Sequence, residues 1–215
     1  MFKVATGLHA CAVGEVPVIL DEYRGRYFLL RGETGRRFLS FLRGSASARD
    51  YHALLDAHLI TWTENPGPEM PQILQPRSSY THAGHFRQAL ALLPQAFFMQ
   101  FSAIRRICHL HLADILKSLK TASEQDGTSS RRGHRVTEAD ISRAFCTIQM
   151  LTPSRDLCVP RSLAIAQMLR SFGHSPTVII GVQLPIAAHC WVQCEDRLIG
   201  DSLERVSAFQ PIFAA

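Results

Sequence analysis

The apolar positions change period along the chain, and each change predicts an element. "VPVILDEY" (16–23) and "RYFLL" (26–30) are short runs of β-formers on either side of Arg24-Gly25, a hairpin pattern. Thr34 is placed to cap a short helix carrying Phe38, Leu39, Phe41 and Leu42, with Gly44 as its stop. Ser47 and Asp50 form a capping-box pair that opens a second helix, striped by Leu54, Leu55, His58 and Leu59. "ITW" at 60–62 closes the segment as a strand. Strands, then a helix pair, then a wing predict a compact winged-helix-like module over residues 1–65.

"NPGPEMPQILQP" follows, with four prolines and a glycine. It reads as a linker, drawn over 66–82, with a second domain at 83–215. Helical periodicity covers 83–120 and is interrupted at Pro94; Phe101, Ile104, Cys108, Ile115 and Leu119 share one stripe. Ala89–Ile104 is sixteen residues without a formal charge, shorter than the roughly 20 a spanning helix needs. It predicts a buried amphipathic helix pair rather than a transmembrane segment. Residues 121–134 form a polar loop. Thr137 and Asp140 open another capped helix, with Ile141, Ala144, Phe145 and Ile148 inward, ended by Thr152-Pro153. "DLCVPRSLAIAQMLRSFGH" is a helix stopped at Gly173, and Pro160 belongs in its first turn. "PTVIIGVQL" is a strand, "HCWVQC" and "RLIGD" a hairpin, and "FQPIFAA" a last strand. The fold class is α+β.

Composition narrows the class. Hydrophobic residues make up 47% and charged residues 19%, with a net charge of +5, as in a soluble globular protein with a real core. The N-terminus lacks the long apolar run of a secretory signal. Six dispersed cysteines (Cys11, Cys108, Cys146, Cys158, Cys190 and Cys194) then predict reduced thiols and a cytoplasmic location rather than a disulfide framework. The basic residues cluster only at Arg131, Arg132, His134 and Arg135, and the helix around Arg49–His58 carries one arginine. That is too sparse a phosphate footprint for a winged-helix DNA binder, so no nucleic acid is expected. Cys190 and Cys194 would lie about 13 Å apart along a strand. His82-x-x-His85 and Cys108-His109-Leu110-His111 lack a second ligand pair at zinc spacing. No metal is expected.

Three residues carry candidate chemistry. Cys158 sits at a helix N-terminus, where free N–H groups and the helix dipole favour thiolate. An imidazole, His189, and a carboxylate, Asp201, would complete a nucleophile–base–orienter set. Strand parity tests the idea. A two-residue turn at Glu195-Asp196 sets Cys190 opposite Asp201 and points His189 away; a three-residue loop, Cys194–Asp196, or a bulge sets His189 opposite Asp201. The triad therefore requires an odd loop or a bulge. Each residue also has a plainer reading: Cys158 as core, His189 as a structural histidine, and Asp201 as the cap of "DSLE".

The segment "LCVPRSLAIAQMLRSFGHSPTVIIGVQLPIAAHCWVQCEDRLIGD" resembles the transglutaminase-like, papain-like cysteine protease domain of lasso peptide maturation B proteins, the microcin-processing proteins. The shared pattern is a cysteine before Arg161-Ser162-Leu163, a long helix ending at Gly173, the strand Ile179–Val182, Pro185, Ala188-His189-x-Trp191-Val192 and Asp201. Ile186, Cys190 and Asp196-Arg197 depart from it, affecting pocket and turn. The resemblance implies Cys158 as nucleophile, His189 as base and Asp201 as its orienting acid. Residues 1–65 similarly resemble a leader-recognition element, in which an extended leader peptide adds to a sheet edge against a helix. Arg26, Tyr27, Phe28, Leu29 and Leu30 would form that edge, and Tyr51, Leu54 and Leu55 the helix face. The implied activity is cleavage of a lasso precursor at its leader–core bond, after a threonine at the next-to-last leader position. The implied partner is an asparagine-synthetase-like macrolactam ligase, through which cleavage would depend on ATP; no cofactor is bound by the chain itself. An acyl-transfer enzyme of transglutaminase or amidase type, and a non-catalytic leader-binding escort, remain as alternatives.

Overall fold

The computed structural model describes residues 1–64, 73–80, 84–126, 136–151 and 157–215. The first segment folds as strands β1 (Phe2–Val4), β2 (Leu8–Val13), β3 (Val16–Asp21) and β4 (Arg26–Leu29), helices α1 (Gly32–Leu42) and α2 (Ala48–Asp56), and strand β5 (Ile60–Trp62). β2, β3 and β4 form an antiparallel sheet in that order, while β1 pairs with β5. Gly14 and Gly25, with φ of 62° each, allow the tight reversals between the three strands. The α2 capping box is present in both directions between Ser47 and Asp50. Thr34 is not a cap, because α1 starts two residues before it, behind Arg31, which makes no side-chain capping bond. β1 and β2, which the sequence did not announce, carry mixed small and polar residues.

β3 explains how the two halves adhere. Its side chains alternate across the sheet. Ile19 joins Phe38, Leu54, Leu59 and Ile60 in a small core under α1 and α2. Val18 and Leu20 point the other way, into a larger core with Phe145, Met168, Leu169 and Phe213. The junction also carries His9, whose ring meets Phe213 edge-on at 5.0 Å and whose Nε2 lies 2.9 Å from Glu22 Oε2.

The second half has a five-stranded sheet in the order β10-β7-β8-β9-β6, where β6 is Ser78–Ser79, β7 Thr177–Gln183, β8 Ala187–Cys194, β9 Arg197–Ile199 and β10 Gln210–Ala214. β6 pairs parallel with β9 and the rest antiparallel. The segment expected as a linker thus contributes an edge strand. Around it, Arg77 N–H donates to Asp196 O, Tyr80 N–H to Leu198 O, and Gln193 Nε2 to Leu74 O. The other predicted linker positions, 66–72 and 81–82, lie outside the described residues.

Helices α3 (Phe86–Ile107), α4 (Leu112–Asp126), α5 (Glu138–Leu151), α6 (Cys158–Ser171) and the short α7 (Leu203–Ser207) complete the chain. α3 runs through Pro94 as one helix instead of a pair. Its buried face is Ala89, Leu92, Ala96, Gln100 and Ala103, and the three alanines let α5 and α6 pack close against it. The expected stripe is therefore split: Phe101 and Cys108 are exposed, while Ile115 and Leu119 are buried on α4. α4 also takes in the first residues of the predicted 121–134 loop; 127–134 lie outside the described residues. Thr137 and Asp140 cap α5 reciprocally, and Ile141, Ala144, Phe145 and Ile148 are buried as their spacing predicts. Among the described residues no helix is long and apolar enough to cross a membrane.

Candidate active site

The site forms where α6 begins against the edge of β8. Cys158 is the first residue of α6, and Pro160 occupies the first turn, where its missing N–H costs no helical bond. Antiparallel β8 and β9 pair as Cys194↔Arg197, Gln193↔Leu198 and Val192↔Ile199, around the two-residue turn Glu195-Asp196 with Glu195 at φ 54°. Continued in register, that ladder would set Asp201 opposite Cys190, and the odd loop or bulge expected from the sequence is absent. The ladder instead stops at Ile199. Gly200 takes φ 72° and swings the chain out of register, and His189 Nε2 donates to Asp201 Oδ2 at 2.5 Å. A left-handed glycine therefore does what a bulge would have done.

That departure has a second effect. In an antiparallel ladder the residue two before Val192 should exchange both backbone bonds with β9. Cys190 has lost that partner, and α6 replaces it: Ser162 Oγ donates to Cys190 O at 2.9 Å, and the Cys190 N–H bonds the Cys158 thiol. The swung loop is held from below. Gly200 N–H donates to Ser142 Oγ at 2.9 Å, and Ser79 Oγ donates to Asp201 O at 2.5 Å. The capping of α7 falls to Ser202, whose side chain accepts from Arg205 N–H. Asp201 Oδ1 accepts the adjacent Ser202 N–H at 2.8 Å, and Oδ2 takes the histidine.

Charge at the site follows from these contacts. Burial pushes the Cys158 thiol up, but hydrogen bonds from His189 and the Cys190 N–H, the His189 charge and the Val159 N–H outweigh it, and the net shift is downward. Burial pushes His189 down; the hydrogen bonds and charges of Asp201 and Cys158 outweigh it and raise it to about 9. Both shifts run toward the thiolate–imidazolium form. Buried Cys190 contrasts with it: desolvation pushes its thiol up to about 12. Trp191 lies parallel to the His189 ring at 6.2 Å and Phe209 tilts against it at 5.3 Å. Both approach across Gly181, where a Cβ would stand 2.6 Å from the Trp191 ring.

The structure therefore brings Cys158, His189 and Asp201 into one cluster. The other predicted set is divided by strand alternation. Phe28, Leu30, Tyr51 and Leu55 pack around the small core, Tyr27 and Leu29 turn to the large one, and Arg26 is exposed. Leu54 is fully buried and has no surface to offer a peptide. Burial, and after it the Cys190 and Cys158 thiols, raise the Tyr27 phenol to about 12. Sequence reasoning missed Ser162, Arg161, Ser79 and Ser142. Only the first two carried a signal, lying three and four residues beyond Cys158 and so on its helix face. Among the described residues no cluster of three His, Cys, Asp or Glu side chains could hold a metal ion.

A family model described as the transglutaminase-like superfamily matches residues 97–214. No curated protein and no solved structure matches the chain significantly.

Proposed function

The chain belongs to the transglutaminase-like superfamily, and we propose that within it this protein is a leader peptidase, which cuts a lasso precursor peptide at its leader–core bond. The observation that carries the reading is a helix-terminal thiol bonded to an imidazole that a carboxylate holds from its far side. With Nε2 committed to Asp201, His189 presents Nδ1 to Cys158. The Cys158 thiolate attacks the scissile carbonyl carbon, and N–H groups at the start of α6 favour the oxyanion. His189 gives its proton to the departing amine, and a thioester to the leader remains. Water then attacks the thioester, His189 takes its proton, and the leader leaves as a carboxylic acid with the thiol restored.

Leader recognition is assigned to residues 1–65 as a winged-helix-like element. β4 is the outer strand of its sheet. Leu30 N–H donates to Pro17 O, so by alternation Phe28 and Arg26 also bond inward to β3, while the backbone groups of Tyr27 and Leu29 face the open edge. A leader added there is held by main-chain bonds on a sheet packed against the peptidase half, which raises its local concentration. The freed amine of the core is the group a macrolactam ligase of asparagine-synthetase type consumes, with ATP. The same triad would also serve acyl transfer, in which an amine replaces water as acceptor.

The test is mass spectrometry of the precursor incubated with wild type, Cys158→Ala and His189→Ala, with and without ligase and ATP. Cleavage at one bond by wild type alone is expected. Equal cleavage by both variants would remove the triad, an amide adduct in place of a free acid would select acyl transfer, and leader binding without any turnover would select an escort.

A further inference from the structure

Arg161 follows Cys158 by three residues, so both side chains leave one face of α6. Its Nε and Nη2 are buried and make no hydrogen bond. A guanidinium held this way is costly, and an apolar side chain of similar volume would avoid the cost. Among the described residues, the titratable groups whose charges act on it are Asp201, Cys146 of α5, Cys158 and Arg205 of α7. Arg161, Cys158, His189, Asp201 and Arg205 line a common space of about 20 Å³. That is room for one water-sized body and no more, so the guanidinium is not a subsite for a peptide side chain. Arg205 also approaches Asp201, with Nη1 3.8 Å from Oδ1, but its side chain is 54% exposed, where water screens it.

We propose that Arg161 is a positioning residue of the site: a fixed positive charge on the buried side of Asp201 and Cys158 that favours the thiolate and keeps the carboxylate turned to His189. Charges then alternate through the cluster, from guanidinium to carboxylate to imidazolium to thiolate. The arrangement matters most after His189 has given its proton away, when Arg161 still sets a positive charge against Asp201. The inference rests on Cys158 being the nucleophile.

The experiment follows iodoacetamide labelling of the Cys158 peptide by mass spectrometry against pH, alongside kcat and KM for precursor cleavage. Wild type, Arg161→Met and Arg161→Lys are compared, with Arg161→Gln as the second neutral variant should the methionine variant not fold. Removing the cation disfavours thiolate, so the neutral variant needs a higher pH to label. The expected result is a midpoint raised by about half to one pH unit and kcat reduced about tenfold with KM little changed. Arg161→Lys is expected to restore most of the midpoint. An unmoved midpoint in the neutral variants, or equal shifts in the neutral and lysine variants, would overturn the proposal and leave Cys158 as nucleophile untouched. Wild-type Cys158 labelling no faster at neutral pH than exposed Cys108 would instead remove the nucleophile, and this inference with it.

Discussion

At Cys158, burial favours the neutral thiol, while an imidazolium and two backbone N–H groups favour the anion, and the anion gains. The reactive pair exists only between two titrations. Below the depressed thiol range the sulfur is protonated; above about 9 His189 has lost the proton that the leaving amine needs. Peptide cleavage is therefore expected to follow a bell in pH with its alkaline limb near 9, read from kcat/KM. His189→Ala should move Cys158 labelling to higher pH, and a labelling profile unchanged in that variant would contradict the assignment. Gly181 tests the aromatic flank. A Cβ there meets the Trp191 ring at 2.6 and 2.7 Å and Phe209 Cβ at 2.9 Å. Gly181→Ala is expected to cost about 1–3 kcal/mol in denaturant unfolding, as overpacking does, and to slow cleavage by displacing the rings beside His189. Cys158, His189 and Asp201 could be picked out through the order and spacing of the resembled pattern; their local settings, a helix start, a strand and a helix-cap motif, fitted plainer readings equally well. Arg161 and Ser162 showed only that they share the helix face of Cys158, since their roles depend on what lies across from α6.

Elements differ in how much of themselves they announce. The ends of α2, α5 and α6 could be read because capping boxes and Gly173 act within a few residues. α3 could not, because its passage through Pro94 is decided by the alanine face it buries against α5 and α6. β6 could not either: two residues in a proline-rich stretch become a strand only when β9 is there to pair with. The β8–β9 hairpin shows the limit most clearly. Its turn length fixes the ladder, and Gly200 alone undoes the parity for Asp201. Gly200→Ala should destabilise by about 1–2 kcal/mol for a left-handed alanine, with Ile165 Cδ1 3.0 Å from the new Cβ. Its cleavage rate should fall further than its stability accounts for, measured as kcat at a temperature where the variant remains folded. Ser162→Ala would leave the Cys190 carbonyl unpaired and is expected to cost about 1–3 kcal/mol by urea unfolding.

In the whole molecule, the sequence suggested two modules on a linker, and the packing shows β3 shared between two cores. Periodicity could say that Val18, Ile19 and Leu20 are all buried, but not that they face different partners. The outcome is that β4, proposed to hold the leader, belongs to a sheet packed on the core of the half that carries Cys158. Leu29→Pro removes an N–H from the open edge without breaking a bond to β3, the setting in which an edge strand tolerates proline. It is expected to weaken leader binding at least about tenfold by fluorescence anisotropy, with a cooperative melt retained. Unchanged binding would move the leader off β4.

The swing at Gly200 also bears on how such a hairpin can change over evolutionary time. On a straight strand, a one-residue insertion at Glu195-Asp196 would bring Asp201 to the His189 side; with Gly200 still bent, the same insertion would carry the carboxylate past. An even turn with a bent glycine and an odd turn with a straight strand are thus two separate solutions. Neither single step between them keeps the acid beside its histidine, so a lineage holding one arrangement is confined to it unless turn and glycine change together.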